Sequence, residues 1–174
     1  GAIDDTEGGN TSRTNLLFNY DKIIDEKTTI KSSAFINQYD FELYSNFTFF
    51  LDDPINGDQI RQKENRTIYG FNSEYIKSFS INDLNGSWHA GISFRNDKSI
   101  DNELSHTANR SKTIEQIQLG NINETNLSAY LGTTINIDKW TFKPSVRVDY
   151  FDFQYNNALL STYKTQTETQ AIFS

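Results

Sequence analysis

The 174-residue chain contains no cysteine and no methionine. Without cysteine it has no disulfide framework, no thiol nucleophile and no thiolate metal site. It also has no run of about eighteen apolar residues, which excludes a membrane-spanning helix. The opening residues, GAIDDTEGGNTSRT, contain neither an initiator methionine nor a charged-then-apolar leader, so we expect a processed or excised part of a longer protein.

Basic residues are scarce relative to acidic ones. Sixteen Lys and Arg stand against 23 Asp and Glu, and the formal net charge is −7. Binding to nucleic acid requires a basic face, so a nucleic-acid partner is excluded. Only 36% of the residues are apolar, yet aromatic residues reach 14%. This composition is typical of strands that are apolar on one face only.

Strict alternation of apolar and polar residues is clearest in GSWHAGISFRND, residues 86–97. Trp88, Ala90, Ile92 and Phe94 fall on one face of a strand, and the residues between them fall on the other. In residues 28–43 the apolar positions shift from even to odd numbers, which predicts a β-bulge. Similar alternation predicts further strands in residues 14–20, 66–79, 126–137 and 140–150, and TQTETQAIF at 165–173 begins a plausible seventh strand.

The connections between these strands alternate in length. Short links are predicted at residues 21–27, 81–85 and 138–139, and long polar loops at 44–65 and 97–124. Short turns at one end and long loops at the other are typical of an up-and-down transmembrane barrel. Large aromatic residues beside the short turns predict an interfacial girdle of Phe18, Tyr20, Phe79, Trp88 and Trp140, and a second girdle is expected at Tyr39, Phe41, Tyr69, Phe71 and Tyr150.

The predicted fold class is therefore all-β, an antiparallel up-and-down transmembrane β-barrel of which about six to seven strands are present. Seven is an odd number, and so few strands would enclose too little space for the polar residues. We expect residues 1–174 to be a slice of a larger barrel, because bare strand edges cannot persist in lipid.

Four segments resemble the barrel of TonB-dependent outer-membrane receptors. They are the strand-loop-strand of residues 41–70, the segments ELSHTANR and IQLGNINETNLSAYLGTTI, and WTFKPSVRVDYFDF. The last resembles the recurrent barrel strand of the family through Trp140, Pro144, Arg147, Asp149 and Tyr150.

The resemblance implies a barrel filled by an amino-terminal plug, in the outer membrane of a Gram-negative bacterium. Such receptors import ferric siderophores, haem, cobalamin or glycans with energy passed on by TonB. Residues 1–174 contain no plug, signal peptide or energy-coupling box, so the chain is expected to be a middle section of the barrel.

Two sets of candidate site residues follow. His89, Arg95, Lys143, Arg147 and Asp149 are predicted to face the lumen, where their charges either pair with plug or neighbouring-strand residues or steer a substrate. Pro144 cannot donate to a sheet ladder, so it predicts a bulge or an unpaired position.

The second set lies in the predicted external loops. Asp52, Asp53, Asn56 and Asp58 fail the twelve-residue calcium template and favour turn chemistry, with substrate contact as the alternative. His106 is predicted in the next loop, as a solvated side chain or an axial haem ligand. No motif of a nucleophile elbow, phosphate loop or carboxylate pair occurs, so neither an enzyme nor a resident cofactor or metal is predicted.

One alternative of another class fits the same strands. A soluble all-β glycan-binding module would bury the apolar stripes against a second sheet and stack Trp and Tyr on sugars. The aromatic residues beside the short turns disfavour it, because a sandwich places its large aromatics centrally.

Overall fold

The computed structural model describes residues 4–82, 84–160 and 165–173. These residues form one antiparallel sheet and contain no helix, hence none long and apolar enough to cross a membrane. The strands are β1 (Gly8–Asp25), β2 (Thr28–Ser45), β3 (Ile60–Ile81), β4 (Leu84–Ala108), β5 (Lys112–Ile137), β6 (Trp140–Phe142), β7 (Ser145–Asn157) and β8 (Thr165–Phe173).

The strands follow one another across the sheet in chain order, with β6 and β7 both paired to β5. Trp140 pairs with Ile137 and Ser145 with Gly132, so β6 and β7 keep one register. Pro144 interrupts them because it has no amide hydrogen, although its carbonyl accepts a bond of 3.0 Å from Thr133 N. The prediction of an unpaired position at Pro144 is therefore confirmed, and the prediction of a bulge is wrong. The sheet has seven strand positions, as predicted.

The register gives the sheet two different faces. Along one cross-strand row Phe18, Phe71, Phe94, Leu127 and Tyr150 all lie on the same side. This apolar face also carries Leu16, Ile36, Tyr69, Tyr75, Ile92, Leu131 and Val146. The opposite, polar face carries Asn19, Asp21, Lys31, Ser33, Asn72, Glu74, His89, Ser93, Arg95, Asn126, Ser128, Tyr130, Arg147 and Asp149.

The apolar face is left uncovered. Phe18 is 64% exposed and Ile92 is 53% exposed, and Tyr44 is the one buried large hydrophobic residue among those described. No second sheet packs on the described residues, and β1 does not pair with β8. The glycan-binding sandwich is therefore wrong as a fold, and the sheet is an open wall.

The bulge predicted in residues 28–43 does not occur. β2 pairs with β3 without any register shift, and its pairing with β1 shifts only at Ile23 and Asp25. The change from even to odd apolar positions therefore moves the side chains to the polar face. There Tyr39 and Phe41 stack with ring centroids 6.2 Å apart, so they do not form the second girdle on the apolar face.

The prediction of a long loop at residues 97–124 is wrong. β4 continues to Ala108 and β5 begins at Lys112, so a three-residue turn joins strands of 25 and 26 residues. Register shifts after Ser99, Leu104 and His106 break the alternation on which the sequence argument depended. The predicted loop at 44–65 is real but shorter, spanning residues 46–59. Short links at the opposite end are confirmed, although β1 continues to Asp25, so the first link is residues 26–27 and not 21–27.

Candidate functional site

The polar face is organised in cross-strand rows, one of which alternates in charge. Asp21 pairs with Lys31, Lys31 with Glu74, and Glu74 with Gly91. Gly91 then pairs with Tyr130, and Tyr130 pairs with Arg147. We call Asp21, Lys31, Glu74, Tyr130 and Arg147 the mixed-charge row. Its side chains lie in neighbouring strands along one line of the polar face, so together they form a surface of mixed charge.

Tyr130 reaches across a glycine to complete this row. Its hydroxyl donates to Glu74 Oε1 at 2.8 Å. Its ring occupies the space beside Gly91, where an added Cβ would lie only 2.2 Å from Tyr130 Cε1. His89 Nδ1 lies 3.4 Å from the same Glu74 oxygen, and His89 Nε2 lies 2.7 Å from Ser87 Oγ. Predicted residue His89 therefore belongs to a hydrogen-bonded group on the polar face.

The other predicted charged residues mostly pair within the sheet. Arg66 donates both Nε and Nη2 to the buried carboxylate of Asp97 at 2.7 Å, and Arg95 donates to the same carboxylate at 3.0 Å. Arg147 makes a similar two-point bond to Asp149, at 2.6 and 2.7 Å. Lys143 lies between β6 and β7, outside both strands. The structure thus brings His89, Arg95, Arg147 and Asp149 to one face.

The predicted girdle residues lie on the apolar face. Phe79 and Trp88 contact each other beside the turn between β3 and β4, with ring centroids 6.1 Å apart. Trp140 opens β6 directly after the next turn. Phe18 and Tyr20 lie seven and five residues before the end of β1, farther from their turn than the other three. Their place in one girdle stays a prediction.

Loop 46–59 is built around two aspartates. Asp53 Oδ1 accepts the backbone amides of Ile55 and Asn56 at 2.9 Å, and Oδ2 accepts the Asn56 side chain at 2.8 Å. Asp58 accepts the amides of Leu51 and Asp53 at 2.9 and 2.7 Å, and that of Asp52. These bonds are the turn chemistry that the sequence favoured.

The same bonds shift the pKa of both carboxyl groups. The backbone and side-chain bonds from Asn56, together with the amide of Ile55, lower the pKa of Asp53 to about 2. Desolvation acts to raise the pKa of Asp58, but the amides of Asp53 and Asp52 outweigh it and leave that pKa below its usual value. Both groups are therefore carboxylates that hold the loop in shape.

His106 lies in β4 and not in a loop. It pairs with Ile60 and Glu115, and its Nε2 lies 2.6 Å from the carbonyl oxygen of Gly57. The ring therefore fastens loop 46–59 to the sheet through Nε2, and its role as an axial haem ligand stays a prediction. Within the described ranges, no three His, Asp or Glu residues are grouped as metal ligands.

A polar cluster that no local sequence pattern indicates joins distant segments at the same end. Gln59 is 2% exposed; its Nε2 donates to Thr6 Oγ1 at 2.6 Å, and its Oε1 accepts Arg110 N at 2.9 Å and Thr107 Oγ1 at 3.1 Å. The Arg110 guanidinium donates to the carbonyls of Thr6 and Glu7. These partners are separated by about fifty or a hundred positions, and no local pattern identifies them.

A single open antiparallel sheet with one apolar face and one polar face defines a wall segment of a membrane barrel. Residues 2–174 match the family model "TonB dependent receptor-like, beta-barrel", so the chain belongs to that family. The predicted family and the partial-barrel architecture are confirmed. Members of this family are outer-membrane β-barrels of Gram-negative bacteria.

Two solved structures share the fold. The unliganded ferric citrate transporter FecA matches with a TM-score of 0.76 and 16% identity over 94% of this chain and 24% of its own. The closed form of the ferric-catecholate import receptor Fiu from E. coli K12 matches with a TM-score of 0.67 and 10% identity, over 97% and 30%. The chain thus spans less than a third of either. No curated protein sequence matches it.

Proposed function

We propose that the chain forms part of the barrel wall of a receptor that imports a ferric siderophore or a similar scarce nutrient across the outer membrane. The observation that carries this proposal is the exposed apolar face of a sheet whose other face is polar and charged. Such an apolar surface is stable in lipid and unfavourable in water. Membership of the receptor family supports the same function.

In this proposal the polar face lines the lumen and contacts a plug that lies outside this chain. The mixed-charge row supports a protein contact, because its Asp21 and Lys31 are neighbours without a close ion pair among the described contacts. His89, Arg95, Lys143, Arg147 and Asp149 are the residues assigned to the lumen. TonB would act through the plug, and the wall itself performs no bond chemistry.

The end of the sheet with loop 46–59 is assigned to the cell exterior. Asp52, Asp53, Asp58 and His106 line one groove at this end, and together with Asn56 of the same loop they are the proposed cargo-contacting residues. A groove of about 460 Å³ between this loop and the β4–β5 hairpin supports that assignment, since nutrient sites are concave.

Uptake by the full-length receptor tests the function. We expect its expression in cells lacking their own ferric-siderophore receptors to restore uptake of radioactive iron, and deletion of the TonB gene to abolish it. A matched strain that expresses the receptor without its plug separates energised uptake from passive leakage. Absence of the receptor from the outer membrane, or uptake that does not depend on TonB, would contradict the proposal.

A further inference from the structure

A segment of four residues, 4–7, runs across one end of the sheet. It precedes β1, but its contacts lie in turn at Asn46 after the end of β2, at Gln59 before the start of β3, and at Arg110 in the turn between β4 and β5. Since neighbouring strands lie about 4.8 Å apart, these contacts place the segment across the ends of β2, β3 and β4. We call residues 4–7 the strap.

The strap binds both ends of the loop between β2 and β3. At the first residue of the loop, Asn46 N donates to Glu7 Oε1 at 2.8 Å and Asn46 Nδ2 donates to Asp4 Oδ2 at 2.7 Å. At the last residue, Gln59 Nε2 donates to Thr6 Oγ1 at 2.6 Å. Asn46 is 5% exposed and Gln59 is 2% exposed, so these bonds are shielded from competing water.

The two ends of the loop differ in what else holds them. Gln59 is also fastened to β4, because its carbonyl accepts Thr107 N at 2.7 Å and its Oε1 accepts Thr107 Oγ1 at 3.1 Å. Among the described contacts, the two hydrogen bonds of Asn46 both go to the strap. The strap therefore supplies the hydrogen bonds that fix the loop at its first residue.

Within the loop a separate set of bonds fixes its shape. Asp58 accepts the amides of Leu51 and Asp53, and Asp53 accepts the amides of Ile55 and Asn56. All of these partners lie in the loop itself, so none of these bonds needs the strap. Release of the strap should therefore let the loop move as one body about its two ends.

The strap is held by hydrogen bonds alone. Its sequence, DDTE, has no large apolar side chain to bury, and Arg110, which donates to the carbonyls of Thr6 and Glu7, is itself exposed. A segment with few buried apolar contacts opens at a smaller free energy than the strands of a sheet do. The strap can therefore detach while the sheet stays folded.

We propose that the strap is a reversible lock on loop 46–59. While the strap is bound the loop has one position, and when the strap is released the loop tilts about its two ends and changes the width of the groove beside it. One wall of this groove carries Asp52 and Asp58 from the loop, and the other carries Glu115 from β5. A ligand that touches both walls binds the two states with different affinity, which makes the strap a control element of the groove. The use of the groove for cargo rests on the proposed function, whereas the lock does not.

The distance between two spin labels in the purified full-length receptor, without cargo, tests the lock. One label is attached at Ile55→Cys, a position that is 86% exposed in the loop. The other is attached at Lys98→Cys, an exposed position of β4 that is paired on both sides. The lock is opened by Asp4→Ala together with Thr6→Val, which removes one hydrogen-bond acceptor at each end of the loop.

Asp5→Ala is the matched control. Asp5 is exposed between the two altered residues, so its replacement makes the same change of charge while the bonds from Asp4 and Thr6 to the loop remain. Thr6→Val alone is a milder variant that keeps every carboxylate of the strap. It serves where the double variant does not reach the outer membrane.

The unaltered strap and the Asp5→Ala control should each give one narrow distance distribution. The double variant should give a second distance, because loss of two buried hydrogen bonds raises the population of the tilted loop by about tenfold or more. Thr6→Val should give the same second distance in a smaller population. Hydrogen exchange at the amides of Leu51 and Ile55 should stay slow in both variants, since the loop keeps its internal bonds.

An unchanged distance in both variants would overturn the proposal. Fast exchange at the amides of Leu51 and Ile55 would also overturn it, because the loop would then have unfolded and not tilted. A second distance of equal population in Asp5→Ala would show that charge, and not the strap bonds, moves the loop. The measurement needs neither cargo nor TonB, so its outcome does not depend on whether the receptor imports iron.

Discussion

The sheet has two regions that are stabilised differently. One is the band near the short turns, which contains Phe71, Trp88, Ile92 and Phe94, and the other is the end with loop 46–59. In the band, Phe71 and Phe94 pack across strands on the apolar face, and polar residues occupy the other face. At the loop end, buried residues such as Gln59 and Thr107 are polar and bonded to distant segments. The stability of the band depends on the medium that meets its apolar face, whereas the stability of the loop end depends on specific hydrogen bonds.

This difference explains why one alternating pattern cannot describe the whole chain. Lipid on one side and a polar interior on the other select apolar and polar residues in turn. Beyond the band the strands no longer have to match lipid, so alternation is not required and bulges after Ser99 and Leu104 are tolerated. The two regions should therefore respond to different changes.

The largest effect is expected from a charge on the apolar face of the band. Ile92→Arg in the full-length receptor should lower the free energy of unfolding by about 2–4 kcal/mol, the cost of an arginine at the bilayer midplane, because Ile92 lies on the apolar face between the two predicted girdles. Asn72→Arg is the matched control, because this residue of the neighbouring strand is exposed on the polar face. Urea unfolding in lipid vesicles measures both, and equal losses would contradict the assignment of the two faces.

A smaller loss is expected from Gly91→Ala on the polar face. The new Cβ would meet the Tyr130 ring, and moving the ring breaks its bond to Glu74, at a cost of about 1–3 kcal/mol for overpacking. Gly132→Ala is the control, since its nearest atom would be Ser145 Cβ at 3.1 Å. In a double-mutant cycle Tyr130→Ala should relieve most of the Gly91 penalty; strict additivity would exclude the contact.

The same contrast shows what the sequence could predict. The strands, their order, the short turns and the stripe of Trp88, Ile92 and Phe94 follow from alternation, because lipid imposes it on every strand. The bond from Gln59 to Thr6 and the ring of Tyr130 over Gly91 could not be predicted, since each depends on register. The prediction that His106 lies in a loop is wrong because the register shifts of β4 interrupt its alternation.

A local effect is expected from Asp58→Asn at the loop end. The amides of Leu51, Asp52 and Asp53 lose a charged acceptor, so their hydrogen exchange should accelerate by roughly two- to tenfold, the usual range for one weakened hydrogen bond. Mass spectrometry of the full-length receptor measures this exchange. Asp52→Asn is the control, and strands β3 to β5 in the band should keep their protection in both variants. Faster exchange throughout the sheet would show that the two regions are not independent.

The smallest effect is expected from acid, and only at the loop end. Asp53 has a pKa of about 2 in the folded loop and 3.8 ordinarily, so the folded state binds fewer protons between these values. Its stabilisation is complete above about pH 4 and is lost as the pH falls towards 2. A spin label at Ile55→Cys should gain mobility over that window, and Asp53→Asn should be mobile already at neutral pH. A label as immobile at pH 2 as at pH 7 would show that the Asp53 carboxylate does not hold the loop.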